Sequence, residues 1–184
     1  MTAPAPARLI TADEFLELDD TRGWELIDGV LTERTVSKQS SRVATWISWV
    51  LSSFVNPHHL GAVYEADLGI RIFAGRPDLV RKADLSFVAT HRDSPADSGY
   101  LDIAPDLVVE VVSPGNRAAA LAEKTAAWLD AGVTVVWVVF PSTRQLQVCR
   151  RGEPGITYGS DDEVAVDDIL PGFRARVADL FPNF

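Results

Sequence analysis

Among its 184 residues the sequence has one cysteine, Cys149, and one methionine. A lone thiol cannot close an intramolecular disulfide or furnish a cysteine-rich zinc site, so a disulfide scaffold and a zinc finger are both excluded. Histidine is scarce too, with three in all. The adjacent His58-His59 pair follows a helix end with no third ligand spaced to join it, which assigns it to a surface turn. No run of about 18 uncharged apolar residues occurs, and no basic segment leads into an apolar one at the start, so neither a membrane span nor a secretion signal is read. A cytoplasmic protein is the expectation. Basic residues are outnumbered, 17 against 26 acidic, for a formal net charge of −9. That balance argues against a surface that adsorbs as a whole to nucleic acid or anionic membrane.

What is present is the composition of a globular chain, 47% hydrophobic and 23% charged, which excludes disordered, collagen-like and coiled-coil architectures. The length fits one domain. We read a flexible Pro/Ala-rich N-terminus over residues 1–10 and a single domain over residues 11–184. Thr11 and Glu14 have the spacing of a capping box and predict a short helix over 12–20. Two short strands joined through Asp28-Gly29 follow as a hairpin. Val43, Trp46, Ile47, Val50, Leu51 and Phe54 recur at helical spacing and predict a helix from about 40 to 54. Extended patterns cover 63–73 and 83–88, and Thr90 to Tyr100 reads as an exposed loop. The segment 106–112 is a near-continuous β-branched run, the mark of a strand covered on both faces. Asn116 is placed to cap an Ala-rich helix ending near Asp130 before Gly132. Strands over 133–140 and 145–149 complete the pattern. Strand, helix and strand within about 35 residues form a crossover between parallel strands. The fold class is α/β (α+β), one mixed sheet with helices on its faces.

One residue breaks the β-branched run. Glu110 stands among valines, and an ionised carboxylate there must be paired, protonated or bound to a cation. Alternation puts Val108, Glu110 and Val112 on one face, and Lys124 falls on or beside the buried stripe of the following helix, defined by Leu121, Trp128 and Leu129. Asp84 opens the preceding strand. Two carboxylates and a lysine are the inventory for metal-assisted phosphodiester hydrolysis: hard cations such as Mg²⁺ take oxygen ligands, and a lysine offsets developing negative charge.

The order of these motifs resembles a known family. It runs from Trp24-Glu25-Leu26-Ile27-Asp28-Gly29 through Asp84 and Ala104-Pro105-Asp106-Leu107-Val108-Val109-Glu110-Val111-Val112-Ser113-Pro114 to Glu123-Lys124, Val136-Trp137-Val138-Val139 and Leu170-Pro171-Gly172-Phe173. Over about 11–173 the chain is similar to the Uma2 family of restriction-endonuclease-like proteins, which implies the PD-(D/E)XK nuclease fold, a mixed β-sheet flanked by helices. The resemblance implies Asp84 and Glu110 as ligands of Mg²⁺ or Mn²⁺. It also implies Lys124 as the motif lysine displaced onto the next helix, since Val112 occupies its usual place, and Glu25 as an additional acid. The implied activity is that of a metal-dependent endonuclease acting on nucleic acid, DNA in the first instance. A homo-oligomer such as a dimer is expected separately, with Trp49, just off the main helical stripe, available for its contacts. Ala83, Ser40 or Ser41, and Phe140 depart from the family pattern at supporting positions.

Each candidate also has a structural reading. Glu110 and Lys124 could form a structural ion pair; Lys124 could cover apolar surface with its stem while its ammonium reaches water. Asp84 could be a strand-start residue, and Glu25 an outward hairpin glutamate facing a cross-strand base. The departures leave open a nuclease-fold module that binds nucleic acid or protein without cutting. A carboxylate-pair glycosidase lacks any aromatic and polar subsite pattern. Charge is unevenly distributed: residues 153–184 hold seven acids and two arginines. Basic residues gather instead at Arg34, Lys38 and Arg42, around Asp84 at Arg71, Arg76, Arg81 and Lys82, and at Arg144, Arg150 and Arg151. A local basic rim and weak, salt-sensitive substrate binding are expected.

Overall fold

The computed structural model describes residues 9–93 and 99–183. The flexibility expected of the N-terminus through residue 8, and the middle of the loop expected over 90–100, lie outside the described residues. Ile10 is tethered, its amide donating to the Gly29 carbonyl at 3.0 Å.

Six strands form the main sheet: β3 (Gly61–Glu65), β4 (Leu85–Ala89), β5 (Leu107–Val111), β6 (Val135–Phe140), β7 (Gln145–Cys149) and β8 (Ile156–Tyr158), in that spatial order. Every neighbouring pair is antiparallel except β5 and β6. The parallel pair is joined by helix α3 (Ala118–Asp130), the crossover expected from the sequence. Helix α2 (Lys38–Val55) lies on the opposite face, where Val43, Ile47, Leu51 and Val55 pack on Leu107, Val109, Val111 and Trp137. Trp128 of α3 packs with Val108, Val136 and Val138 on the other face. β5 is therefore buried on both faces, as its run of β-branched residues requires. Among the described residues, no helix is long and apolar enough to cross a membrane.

Several boundaries differ from the sequence reading. Helix α1 covers only Ala12–Leu16, under the expected Thr11–Glu14 capping box. Asp19 and Asp20 would sit at the negative end of a longer helix, and Asp20 instead accepts the Arg22 amide at 3.0 Å in a turn. α2 starts at Lys38, earlier than expected, because Ser37 and Ser40 form a capping box. Asn116 is not the cap of α3: its side chain accepts the Ser113 amide at 2.6 Å, and the helix begins one residue later behind Arg117. The extended stretch expected through Phe73 leaves the sheet after Glu65, and Ile70 then makes only single bridges to Arg81 and Leu101. The three-residue strands β8, β9 (Glu163–Ala165) and β10 (Arg174–Arg176) were not anticipated.

The hairpin of β1 (Trp24–Ile27) and β2 (Val30–Glu33) is as predicted, with Asp28 and Gly29 at positive φ (53° and 73°). It forms its own two-stranded sheet and meets the body through reciprocal backbone bonds between Leu26 and Val80, at 2.9 and 2.8 Å.

Candidate active site

The antiparallel pairing of β4 with β5 brings the entry of one strand beside the exit of the other. Asp84, the residue before β4, donates its amide to the Val109 carbonyl at 3.1 Å and accepts the Val111 amide on Oδ2 at 2.7 Å. Its Oδ1 accepts from Arg34 Nη2 at 2.6 Å. One position back from Val111, Glu110 points to the α3 face as alternation requires. There its Oε1 accepts the Trp128 indole N–H at 2.8 Å, and Lys124 Nζ lies 3.0 Å from Oε1 and 3.1 Å from Oε2.

Lys124 reaches the sheet from the second turn of α3. Its ammonium also donates to the Lys82 carbonyl at 3.0 Å and lies 3.2 Å from Glu25 Oε1. Glu25 faces inward from β1, only 6% exposed, and its Oε1 accepts the Lys82 amide at 2.7 Å. The outward hairpin glutamate is thus not what the structure holds, and neither is a Lys124 stem stretched toward water. Glu25, Asp84, Glu110 and Lys124 line one open cavity of about 320 Å³, together with Arg34, Arg81 and Arg117.

Burial pushes the Glu110 carboxyl above the usual glutamate range; Lys124 opposes the rise, while the charges of Asp84 and Glu25 add to it. Burial alone would lower the Lys124 ammonium, but Glu110 and Glu25 outweigh it and hold it above its ordinary value. A carboxylate whose charge is costly to maintain gains from any further positive charge brought into the cavity. The donor set around the cavity is all oxygen, suited to a hard divalent cation. Among the described residues no three acidic, histidine or cysteine side chains converge closely enough to hold a metal unaided. One or two carboxylates completed by water and substrate phosphate is the usual arrangement for Mg²⁺, and Asp84 and Glu110 both present carboxylates to this cavity.

Three contributors were not singled out from sequence. Arg34 figured only in a basic cluster, and its contact with Asp84 spans 50 residues with no local pattern to mark it. Trp128 was read as core. A buried indole N–H needs an acceptor, and its spacing of four from Lys124 was the available signal. Lys82, read as part of the basic rim, is 2% exposed, with Nζ donating to the Thr21 carbonyl at 2.8 Å and lying 3.6 Å from Asp67. Burial lowers its pKa, with Asp67 opposing. The departure at Ser40 is a buried hydroxyl bonded to Ser113 at 2.7 Å. His58 and His59 are exposed at the end of α2, as expected.

The fold is a mixed sheet covered by helices on both faces, with acids at the exit of one central strand and the entry of its antiparallel neighbour. It superposes on a crystal structure from Anabaena variabilis ATCC 29413 described as "a putative nuclease belonging to DUF820", with a TM-score of 0.77 and 24% identity over 94% of this chain and 97% of that one. The model of the Uma2 family, described as "Putative restriction endonuclease", matches residues 12–178, and the chain belongs to that family. No curated protein matches the chain.

Proposed function

We propose that this protein is a metal-dependent endonuclease that hydrolyses phosphodiester bonds of DNA, with Asp84 and Glu110 as ligands of Mg²⁺ or Mn²⁺. The observation that carries the reading is the convergence of Glu25, Asp84, Glu110 and Lys124 on one solvent-open cavity. A bound divalent cation would supply a Lewis acid that activates water and offsets charge on the phosphoryl oxygens. Lys124 contributes a fixed positive charge beside the attacked phosphate, its ammonium held in place by Glu25, Glu110 and the Lys82 carbonyl. Glu25 is a positioning residue that acts through Lys124. Trp128 orients Glu110 by its indole N–H. Arg34, Arg81 and Arg117 at the same cavity supply cationic partners for the flanking backbone.

Supercoiled plasmid incubated with the protein and Mg²⁺ or Mn²⁺ is expected to be nicked. Glu110→Ala and Asp84→Ala are each expected to reduce the rate to background, and full activity in either variant would sink the assignment.

A second reading is a nuclease-fold module that binds without cutting. It is favoured by the engagement of both Asp84 oxygens, one by a backbone amide and one by Arg34. Cleavage by wild type together with its loss in Glu110→Ala rules this reading out.

A further inference from the structure

The segment that leaves the hairpin for α2 is pinned over the cavity. The Arg34 amide donates to the Gly23 carbonyl at 2.8 Å, and the Ser37 amide lies 3.3 Å from the Ser113 hydroxyl. Thr35 packs closely enough on Gly115 that a Cβ there would stand 3.1 Å from its methyl group. From this strap the Arg34 guanidinium reaches inward, with Nη1 on the Ala66 carbonyl at 2.8 Å and Nη2 on Asp84 Oδ1 at 2.6 Å. Both partners are shielded, the Arg34 side chain 8% and the Asp84 side chain 18% exposed.

Asp84 Oδ2 is taken by the Val111 amide, a bond fixed by β5 itself. Each carboxylate oxygen keeps a second lone pair, but a cation bound at either oxygen of Asp84 would sit beside the Arg34 guanidinium already on Oδ1. Two positive charges on one shielded carboxylate repel, and a guanidinium cannot be neutralised by deprotonation. Engagement of Asp84 by Arg34 and by a divalent ion therefore oppose each other.

We propose that Arg34 is a resident counter-ion that competes with the divalent cation for Asp84, so that the metal affinity of the site is set by Arg34. The inference rests on the metal-dependent reading above and adds to it a residue that restrains metal loading. A purely architectural role, with Arg34 gluing the strap to the sheet, would affect folding stability alone.

The test is calorimetric titration of Mn²⁺ into the full chain without nucleic acid. Arg34→Gln is expected to bind Mn²⁺ about tenfold more tightly than wild type. In an Asp84→Asn background the same substitution is expected to change nothing. Arg34→Lys keeps the charge for folding, but its single ammonium cannot hold Ala66 and Asp84 with a planar fork, so it is expected to fall between the two. Equal or weaker Mn²⁺ affinity in whichever Arg34 variant folds overturns the proposal and leaves the metal reading standing. Failure of both wild type and variant to bind Mn²⁺, with circular dichroism and melting intact, overturns the metal reading and this inference together.

Discussion

Lys124 lies within 3.2 Å of both Glu25 and Glu110, and each of those carboxylates is only 6% exposed. Removing the ammonium leaves two buried acids short of a partner, a loss of about 3–5 kcal/mol by analogy with broken buried pairs. Lys124→Met is expected to lower urea-unfolding stability by that order, and adding Glu110→Gln should recover part of it. No recovery would mean that Glu110 is not what Lys124 neutralises. Glu110 and Lys124 were legible in the sequence because each violates a local pattern: an acid in a valine run, and a lysine at helical spacing from buried residues, 14 positions apart. Asp84 was legible more weakly, as an acid at the entry of an apolar strand, and Glu25 only through the order of motifs. Arg34 was not legible, since its partner is set by docking of the hairpin and no local period encodes that.

The crossover of β5, α3 and β6 was read correctly because a buried parallel strand and its return helix each carry a strong period. Three-residue strands carry no period to detect, and β8, β9 and β10 went unread for that reason. The edge strand β3 depends on a close approach instead. A Cβ on Gly61 would stand 2.0 Å from the Val88 carbonyl oxygen and 2.7 Å from the Phe87 ring. Gly61→Ala is expected to push β3 off β4, at about 1–3 kcal/mol, as other overpacked sites behave. Hydrogen exchange should show faster exchange at β3 amides with little change at β5 and β6. Uniform protection would contradict the packing argument.

At the scale of the molecule, much of the basic rim expected from sequence is spent on internal pairs. Arg71 bonds Asp13 at 2.7 Å and Asp102 at 2.8 Å, Arg76 bonds Asp78 and Asp28, and Arg150 bonds Asp168 at 2.7 Å. The last pair links the end of β7 to the segment after β9. The hydrogen bond from Arg150 holds the Asp168 carboxyl below its ordinary range. A carboxyl lowered in the folded state adds stability above its unfolded value and loses it as the pH falls through the folded value. Asp168→Asn is therefore expected to cost about 1 kcal/mol or less at neutral pH, the pair being partly exposed. The difference in Tm from wild type should disappear under acid conditions, below the usual aspartate range. A difference that persists there would assign the loss to packing.

The hairpin brings Glu25 and Arg34 to the cavity while standing outside the six-stranded sheet, held along its backbone by bonds from Leu26 and Gly29 to Val80 and Asp78. Glu110, Lys124 and Trp128 need none of it to meet, since one crossover unit contains all three. Opening of the hairpin would admit water to an otherwise intact ion pair. Coulomb energies scale inversely with the local dielectric constant, so the strength of the Glu110–Lys124 pair is governed by a ribbon topologically separate from the two residues that form it.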